Sequence, residues 1–425
     1  MYRKLLKFIE DSPVASHATA NLKARLLEEG FEQLQFGKWK LKAGGKYFLV
    51  RNGSAILAFR MPKAKAKGFV ITTAHADSPC FRIHDEGEMV GDYVRLNVEA
   101  YGSFNIFSWL DRPLGIAGRV MVRTAEGVDA RLVNFGGAVA LIPGVPTQLV
   151  PDSKEGRKLN VEKDQLAFCA MGADQGFLYR TAAKKAGCKP EDIIATDLYL
   201  YNAQKGVAWG PHKEFISSPR FDDLACAFSC MEGFLAAAPS DRVQVCAVFD
   251  HEEIGSRTKV GGGSNFLPNL LKNISLSLGL TESEHFGLLD NSWMISADNA
   301  HAAHPNHTEL NDFTEAPKMN GGPVVKHSSR YATDGLSAAL FKEVCHRAGV
   351  PVQDFSNRPG IKGGSTMGAI ATEEVSIPTV DLGLPQLAMH SAFETQGALD
   401  AQYLADACKA SYESDVQLCE DRYVF

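Results

Sequence analysis

The sequence predicts an α/β fold: a mixed sheet covered by helices in an α/β/α arrangement, interrupted by an inserted, mostly β domain. Three observations carry this. Apolar strand-like runs alternate with helical segments near the N-terminus and again from Glu214 onward, the pattern of helices packed on both faces of a parallel or mixed sheet. Between about Gly87 and Pro211 the texture changes to short strand-like pieces separated by Gly- and Pro-bearing turns. The 425 residues, 45% hydrophobic and 22% charged, are enough for a large core in more than one domain. The expected division is a discontinuous domain from residues 1–86 and 213–425, split by an insertion over 87–212.

In order along the chain, the first 34 residues read as helical, with Leu22, Leu26 and Leu27 forming a stripe and Gly30 a stop. Residues 68–75, GFVITTAH, are a short apolar β-branched run and read as a strand. YVRLNVEAYG and LGIAGRVMVRT supply strands of the insertion. A helix at 223–237, a strand at 243–249, a strand near 292–296, a helix at 334–348 and a strand at 377–382 complete the series.

A net charge of −6 with no long block of one sign points away from nucleic acid and from a membrane-binding tail, and toward a small ligand or peptide. The N-terminal apolar positions are interrupted by Lys4, Lys7, Glu10 and Asp11, so no signal peptide is expected. No window approaches the ~20 apolar residues of a membrane helix. Nine cysteines include no C-x-x-C pair, and Cys226, Cys230 and Cys246 sit in apolar runs as small hydrophobes do; a reducing cytoplasm is the expected setting. A metal in this chain would therefore need oxygen and nitrogen ligands.

The stretch VCAVFDHEEIGS, Val245 to Ser256, runs five apolar residues into Asp250, His251, Glu252 and Glu253. Adjacent carboxylates at the mouth of a buried strand require a compensating cation or hydrogen bonds. Other acids and imidazoles fall in equivalent places: His75 after GFVITT, Asp298 after SWMIS, His390 a few residues past TVDLG, and Asp222 at the start of a helix. The C-terminal edge of an open α/β sheet is where loops converge on one crevice. Taken singly, His75 reads as a core histidine, Asp222 as a helix cap and the others as turn residues. Taken together they make a set that holds two divalent ions, zinc, cobalt or manganese, if one carboxylate bridges. Such an ion pair acidifies water and polarises a carbonyl, leaving one glutamate as general base.

At these residues the chain resembles the M18 metallopeptidases, whose members include the aspartyl aminopeptidases. The motifs are TTAHADSPCFRI (72–83), SPRFDDL (218–224), DHEEIGS (250–256), SADNAHAAHPN (296–306), RYATD (330–334) and PQLAMHSAFE (385–394), with SPVASHATANL near the start. The resemblance implies that His75 and Asp298 ligate one metal, Glu253 and His390 the other, that Asp222 bridges them, and that Glu252 is the general base. It also implies that the insertion is a dimerisation domain and that the chain assembles as a dodecamer. His301 and His304 match histidines near the substrate, and Lys326 matches a lysine that could pair with an acidic substrate side chain; without the resemblance a lone lysine reads as a solvated surface group.

The chain departs from the family pattern in two places. Gln148 stands where family members carry a histidine, and the loop 357–368 lacks the usual acid-Met-Pro-Cys pattern. The expected activity is thus a cytoplasmic dinuclear aminopeptidase acting on peptides, with Asp or Glu as candidate N-terminal residues. A two-metal amidase or dipeptidase is the alternative enzyme class, and a non-catalytic assembly protein the alternative outside enzymology; the pairing of Glu252 with Glu253 argues against the latter.

Overall fold

The computed structural model describes residues 1–149, 159–419 and 421–425. The chain forms two compact units, one from Met1–Asp77, Gly206–Met389 and Glu394–Phe425, the other from Ser78–Lys205 with His390–Phe393.

The first unit is a nine-stranded mixed sheet. Its strands run in the order Glu32–Gln33, Lys46–Arg51, Ala55–Arg60, Val243–Phe249, Phe69–His75, Trp293–Ala297, Thr379–Gly383, Val324–His327 and Gln353–Ser356. The four strands Val243–Phe249, Phe69–His75, Trp293–Ala297 and Thr379–Gly383 are mutually parallel. Every residue of these four is buried, which is why they read as unbroken apolar runs rather than as alternating ones. The pleat sends Val70 and Ala74 into one core with helices Tyr2–Asp11, Ala15–Glu28, Phe221–Ala236, Gly335–Ala348 and Asp400–Glu413. It sends Phe69 and Ile71 into a second core with helices Phe266–Ser277 and Met367–Glu374, so the sheet is covered on both faces. A five-stranded sheet packs in the same unit in the order Val207–Trp209, Phe215–Ser218, Glu394–Gly397, Pro385–Leu387, Ala300–His301.

The second unit is a six-stranded, wholly antiparallel sheet in the order Gly127–Asn134, Leu114–Thr124, Ile193–Asn202, Cys80–Val90, Tyr93–Tyr101, Ala167–Met171. Helix Phe177–Ala186 packs on it through Leu178, Ala182 and Ala183. The four-residue segment His390–Phe393 belongs here because Ala392 joins this core. Asn202 Nδ2 donates to the Ala392 carbonyl at 2.8 Å, and the Asn105 N–H donates to the His390 carbonyl at 3.1 Å.

Two boundaries differ from those the sequence suggests. The N-terminal helical region is two helices, because Pro13 has no N–H to continue the first one and the backbone at Ser12 is non-helical. The insertion, expected over 87–212, spans 78–205 as a compact unit, since strand Cys80–Val90 pairs with Tyr93–Tyr101 from its first residue, Cys80 against Tyr101.

Candidate metal centre

Parallel pairing determines which loops meet. Phe249 lies opposite His75 in register, so the chain leaves both strands in the same direction and brings Asp250–Glu253 beside His75–Asp77. On the other side, Ser296 pairs with Thr73, which places Asp298 just past its strand end; its N–H donates to the Leu382 carbonyl at 2.9 Å. Helix Phe221–Ala236 contributes Asp222 and Asp223 from its first turn, where both have non-helical backbone angles. Arg220 precedes them in the left-handed region and makes no side-chain cap bond.

His75, Asp222, Asp223 and Asp298 are all buried, and each offers a ligand atom within 4.8 Å of the others. His75, Glu252 and Glu253 satisfy the same condition. His75 Nε2 lies 3.5 Å from Asp222 Oδ1 and 3.9 Å from Glu252 Oε2. The other ring nitrogen, Nδ1, is 3.1 Å from the Asp77 carbonyl and 3.3 Å from Asp77 Oδ1. That arrangement leaves Nε2 to face the acids, as a metal-ligating imidazole with a carboxylate behind it does.

Asp77 does a second job. Its carboxylate accepts the N–H groups of Glu252 at 3.2 Å and Glu253 at 3.1 Å, so one buried acid holds both the imidazole and the loop that carries the glutamate pair. Asp223 Oδ2 accepts the His75 N–H at 3.2 Å. Neither Asp77 nor Asp223 belongs to the set singled out in the sequence. Asp77 could have been found as the second acid of a His-x-Asp at a strand end; Asp223 carries no signal that separates it from Asp222.

Burial dominates the electrostatics. It pushes the Glu252 carboxyl up to about 8, with the His75 imidazole opposing and Asp298, Asp77 and Asp222 adding to the rise. Burial likewise pushes Glu253 and Asp223 well above the carboxylate range and raises Asp298. For His75 burial works against the charge, yet Asp223, Asp222 and Asp77 outweigh it and hold the imidazole well above its usual value. This many acids around one imidazole cannot all ionise without added positive charge, and the donor set of carboxylate oxygen and imidazole nitrogen suits a borderline or hard divalent ion. The residues therefore fit a metal.

The remaining singled-out residues are placed as follows. Lys326 is not a solvated lysine: on strand Val324–His327 it is 4% exposed, with Nζ 3.6 Å from Asp298 Oδ2 and 5.7 Å from the Tyr331 ring centroid. Burial works against its charge, but Asp298, Tyr331 and Asp381 hold its pKa above the usual lysine value. His301 is exposed at the end of a short strand with its ring 6.1 Å from Phe355, and His304 Nδ1 accepts the Asn306 N–H at 3.2 Å. His390 has a positive φ of 62° and groups with the second unit. Gln148 is exposed in the turn Thr147–Leu149. In the 357–368 loop, Arg358 is turned onto the Phe313 ring at 4.6 Å and donates to the Glu309 carbonyl.

A family profile described as "Aminopeptidase I zinc metalloprotease (M18)" matches residues 8–412. The chain belongs to the M18 aminopeptidase family. A relative from Clostridium acetobutylicum named "Probable M18 family aminopeptidase 2" is 41% identical over 423 residues, covering 96% of this chain and 98% of the relative. One of the same name from Mycobacterium leprae is 36% identical over 420 residues, covering 97% and 98%. Among solved structures, the one titled "Cryo-EM structure of the Ape4 and Nbr1 complex" superposes with TM-score 0.93 at 31% identity, covering 97% of this chain and 85% of that one. The Saccharomyces structure titled as the mApe1 dodecamer gives 0.84 at 26%, covering 96% and 95%. The Thermotoga maritima M18 aminopeptidase gives 0.85 at 23% with 97% and 95% covered, a likeness of fold. This M18 chain is a metallo-aminopeptidase of mixed α/β fold. No helix among its described residues is long and apolar enough to cross a membrane.

Proposed function

We propose that this M18 aminopeptidase removes one N-terminal residue from peptides, using two divalent ions, zinc by preference, with Glu252 as general base. The observation that carries this reading is a pair of groups that share His75, the buried His75, Asp222, Asp223 and Asp298 and the less buried His75, Glu252 and Glu253, each with ligand atoms within 4.8 Å of one another; the Glu252 side chain is 16% exposed against 3% for Asp222. His75 and Asp298 would hold one ion, Glu253 and His390 the other, and Asp222 both. When bound, the ions polarise the scissile carbonyl and make water acidic. Glu252 would take the proton of the attacking water and return it to the leaving amine. The substrate's free α-amine would be held among the carboxylates, which selects the chain end. His301 and His304 would line the approach and donate to the substrate carbonyl. Lys326 would favour Asp or Glu as the residue removed, its buried ammonium being the cation such a side chain needs.

The nine free cysteines support a cytoplasmic setting. The assembly proposed is dimers, joined through the insertion, building a dodecamer like that of the mApe1 relative.

The test combines elemental analysis with hydrolysis of N-terminal Asp, Glu, Leu and Lys substrates and of their N-acylated forms. Glu252→Gln should keep its metal and lose at least ~100-fold in kcat. Near-normal turnover in that variant would remove Glu252 from the mechanism. Lys326→Met should lower kcat/KM on Asp and Glu substrates by ~2 to 5 kcal/mol while sparing Leu. An equal loss on all substrates would reduce Lys326 to a partner of Asp298.

A further inference from the structure

Glu394 opens the strand Glu394–Gly397 and is 2% exposed. Its Oε2 accepts the Asp222 N–H at 3.1 Å and its Oε1 accepts from Gln386 Nε2 at 3.4 Å. Gln396 Nε2 donates to Gln386 Oε1 and to Asn299 Oδ1, both at 3.1 Å. Asn299 Nδ2 in turn donates to the Phe221 carbonyl at 2.7 Å. The Phe221 carbonyl and the Asp222 N–H are the two polar ends of one peptide unit, so the bonds close into a ring around it. Strand pairing holds the ring in register, with Ser218 opposite Glu394, Gln386 opposite Gln396, and His301 opposite Gln386. Asn299 is also the residue after Asp298, so the ring touches the backbone beside both acids.

We infer that Glu394 is a positioning residue for the metal centre: through the ring Glu394–Gln386–Gln396–Asn299 it orients the Phe221–Asp222 peptide unit and with it the Asp222 carboxylate. This rests on the reading of Asp222 as a ligand. The polarity of the ring is specific. Glu394 faces two donors, the Asp222 N–H and the Gln386 amide, and only an acceptor on both oxygens satisfies them. An amide at 394 sets one NH2 against another, and flipping Gln386 moves the conflict to Gln396. A buried ring in which one member is unsatisfied loses the orientation it imposes.

The experiment follows zinc loss from the zinc-loaded, full-length protein to excess dipicolinate, alongside kcat and KM. Glu394→Gln should weaken zinc retention by ~10- to 100-fold, the usual effect of losing a group behind a metal ligand, and lower kcat more than it changes KM. The swapped double variant Glu394→Gln with Gln386→Glu restores an acceptor opposite each donor and should recover zinc retention. A purely structural role would not give recovery of zinc retention tied to donor and acceptor order. Gln396→Met, on the far side of the ring, leaves the Asp222 N–H its acceptor and should weaken retention in the same direction by less, which keeps the test open if Glu394→Gln does not fold. Zinc retention unchanged in Glu394→Gln and Gln396→Met, or a double variant no better than the single, overturns the inference. A wild-type protein that holds no zinc would instead remove the metal reading itself.

Discussion

His17 shows how a single half-buried side chain sets an acid limit. It lies on helix Ala15–Glu28 with Nδ1 buried and no hydrogen-bond partner, and burial pushes its pKa down to about 4. An unfolded histidine titrates near ~6.5, so as pH falls the unfolded chain takes up this proton first. The stability it contributes is complete above pH ~6.5 and drains away toward pH 4, by at most about 3 kcal/mol. His17→Gln should flatten that part of the curve, measured by urea unfolding at pH 7.5 and 5. At the metal centre, Glu253→Ala is expected to release metal where Glu252→Gln keeps it, read by elemental analysis; equal retention in both would merge their roles. His75, Glu252, Glu253 and Asp298 were legible in the sequence because each follows the C-terminal end of a recognisable apolar strand. Asp77, Asp223 and Glu394 were not, because what distinguishes them is the donor each faces, a backbone N–H supplied by a distant segment. Lys326 misreads as a surface lysine for the same reason: its residue type carries no mark of Asp298 at 3.6 Å.

Among the elements, strand Thr379–Gly383 shapes the centre without lending it a side chain. A Cβ on Gly383 would stand 1.8 Å from the Asp298 carbonyl oxygen, so the backbone of one strand presses against the turn that carries a ligand candidate. Gly383→Ala must shift Asp298, and a displacement of ~1 Å is expected to lower kcat/KM by ~100-fold with partial loss of metal. Normal activity in that variant would mean the turn relaxes elsewhere. The regular elements were the most legible layer: strands 243–249 and 68–75 and the helices near 223–237 and 334–348 stand within two residues of the sequence reading. Helix Gly335–Ala348 carries its own signal in the Asp334 cap, whose side chain accepts the Ser337 N–H at 2.8 Å. Where the insertion begins was less legible, because Cys80–Val90 mixes buried and exposed residues and starts three residues beyond Asp77 with no turn signal stronger than Pro79.

For the molecule as a whole, the metal and the fold are coupled through charge. Without metal, the protein must keep protons on carboxyls whose folded pKa values are raised, Glu252 to about 8 and Glu253 and Asp223 well above the usual carboxylate range. The unfolded chain releases those protons near pH ~4.5, so the metal-free protein should lose stability as pH rises toward 8, by up to ~1.4 kcal/mol per unit for each such group. Thermal unfolding with and without chelator at pH 6 and 8 measures this; parallel pH slopes would deny the coupling. Sedimentation tests the assembly, since twelve 46.2-kDa chains are readily told from two. The order of strands in the large sheet bears on the timing of synthesis. Phe69–His75 leaves the ribosome early, but its neighbours Val243–Phe249 and Trp293–Ala297 follow only after some 170 and 220 further residues, as the numbering shows. Until those strands have been made and inserted, His75 has neither the glutamate pair nor Asp298 beside it. On the proposed ligand set, a nascent chain that lacks those strands would have no complete metal centre.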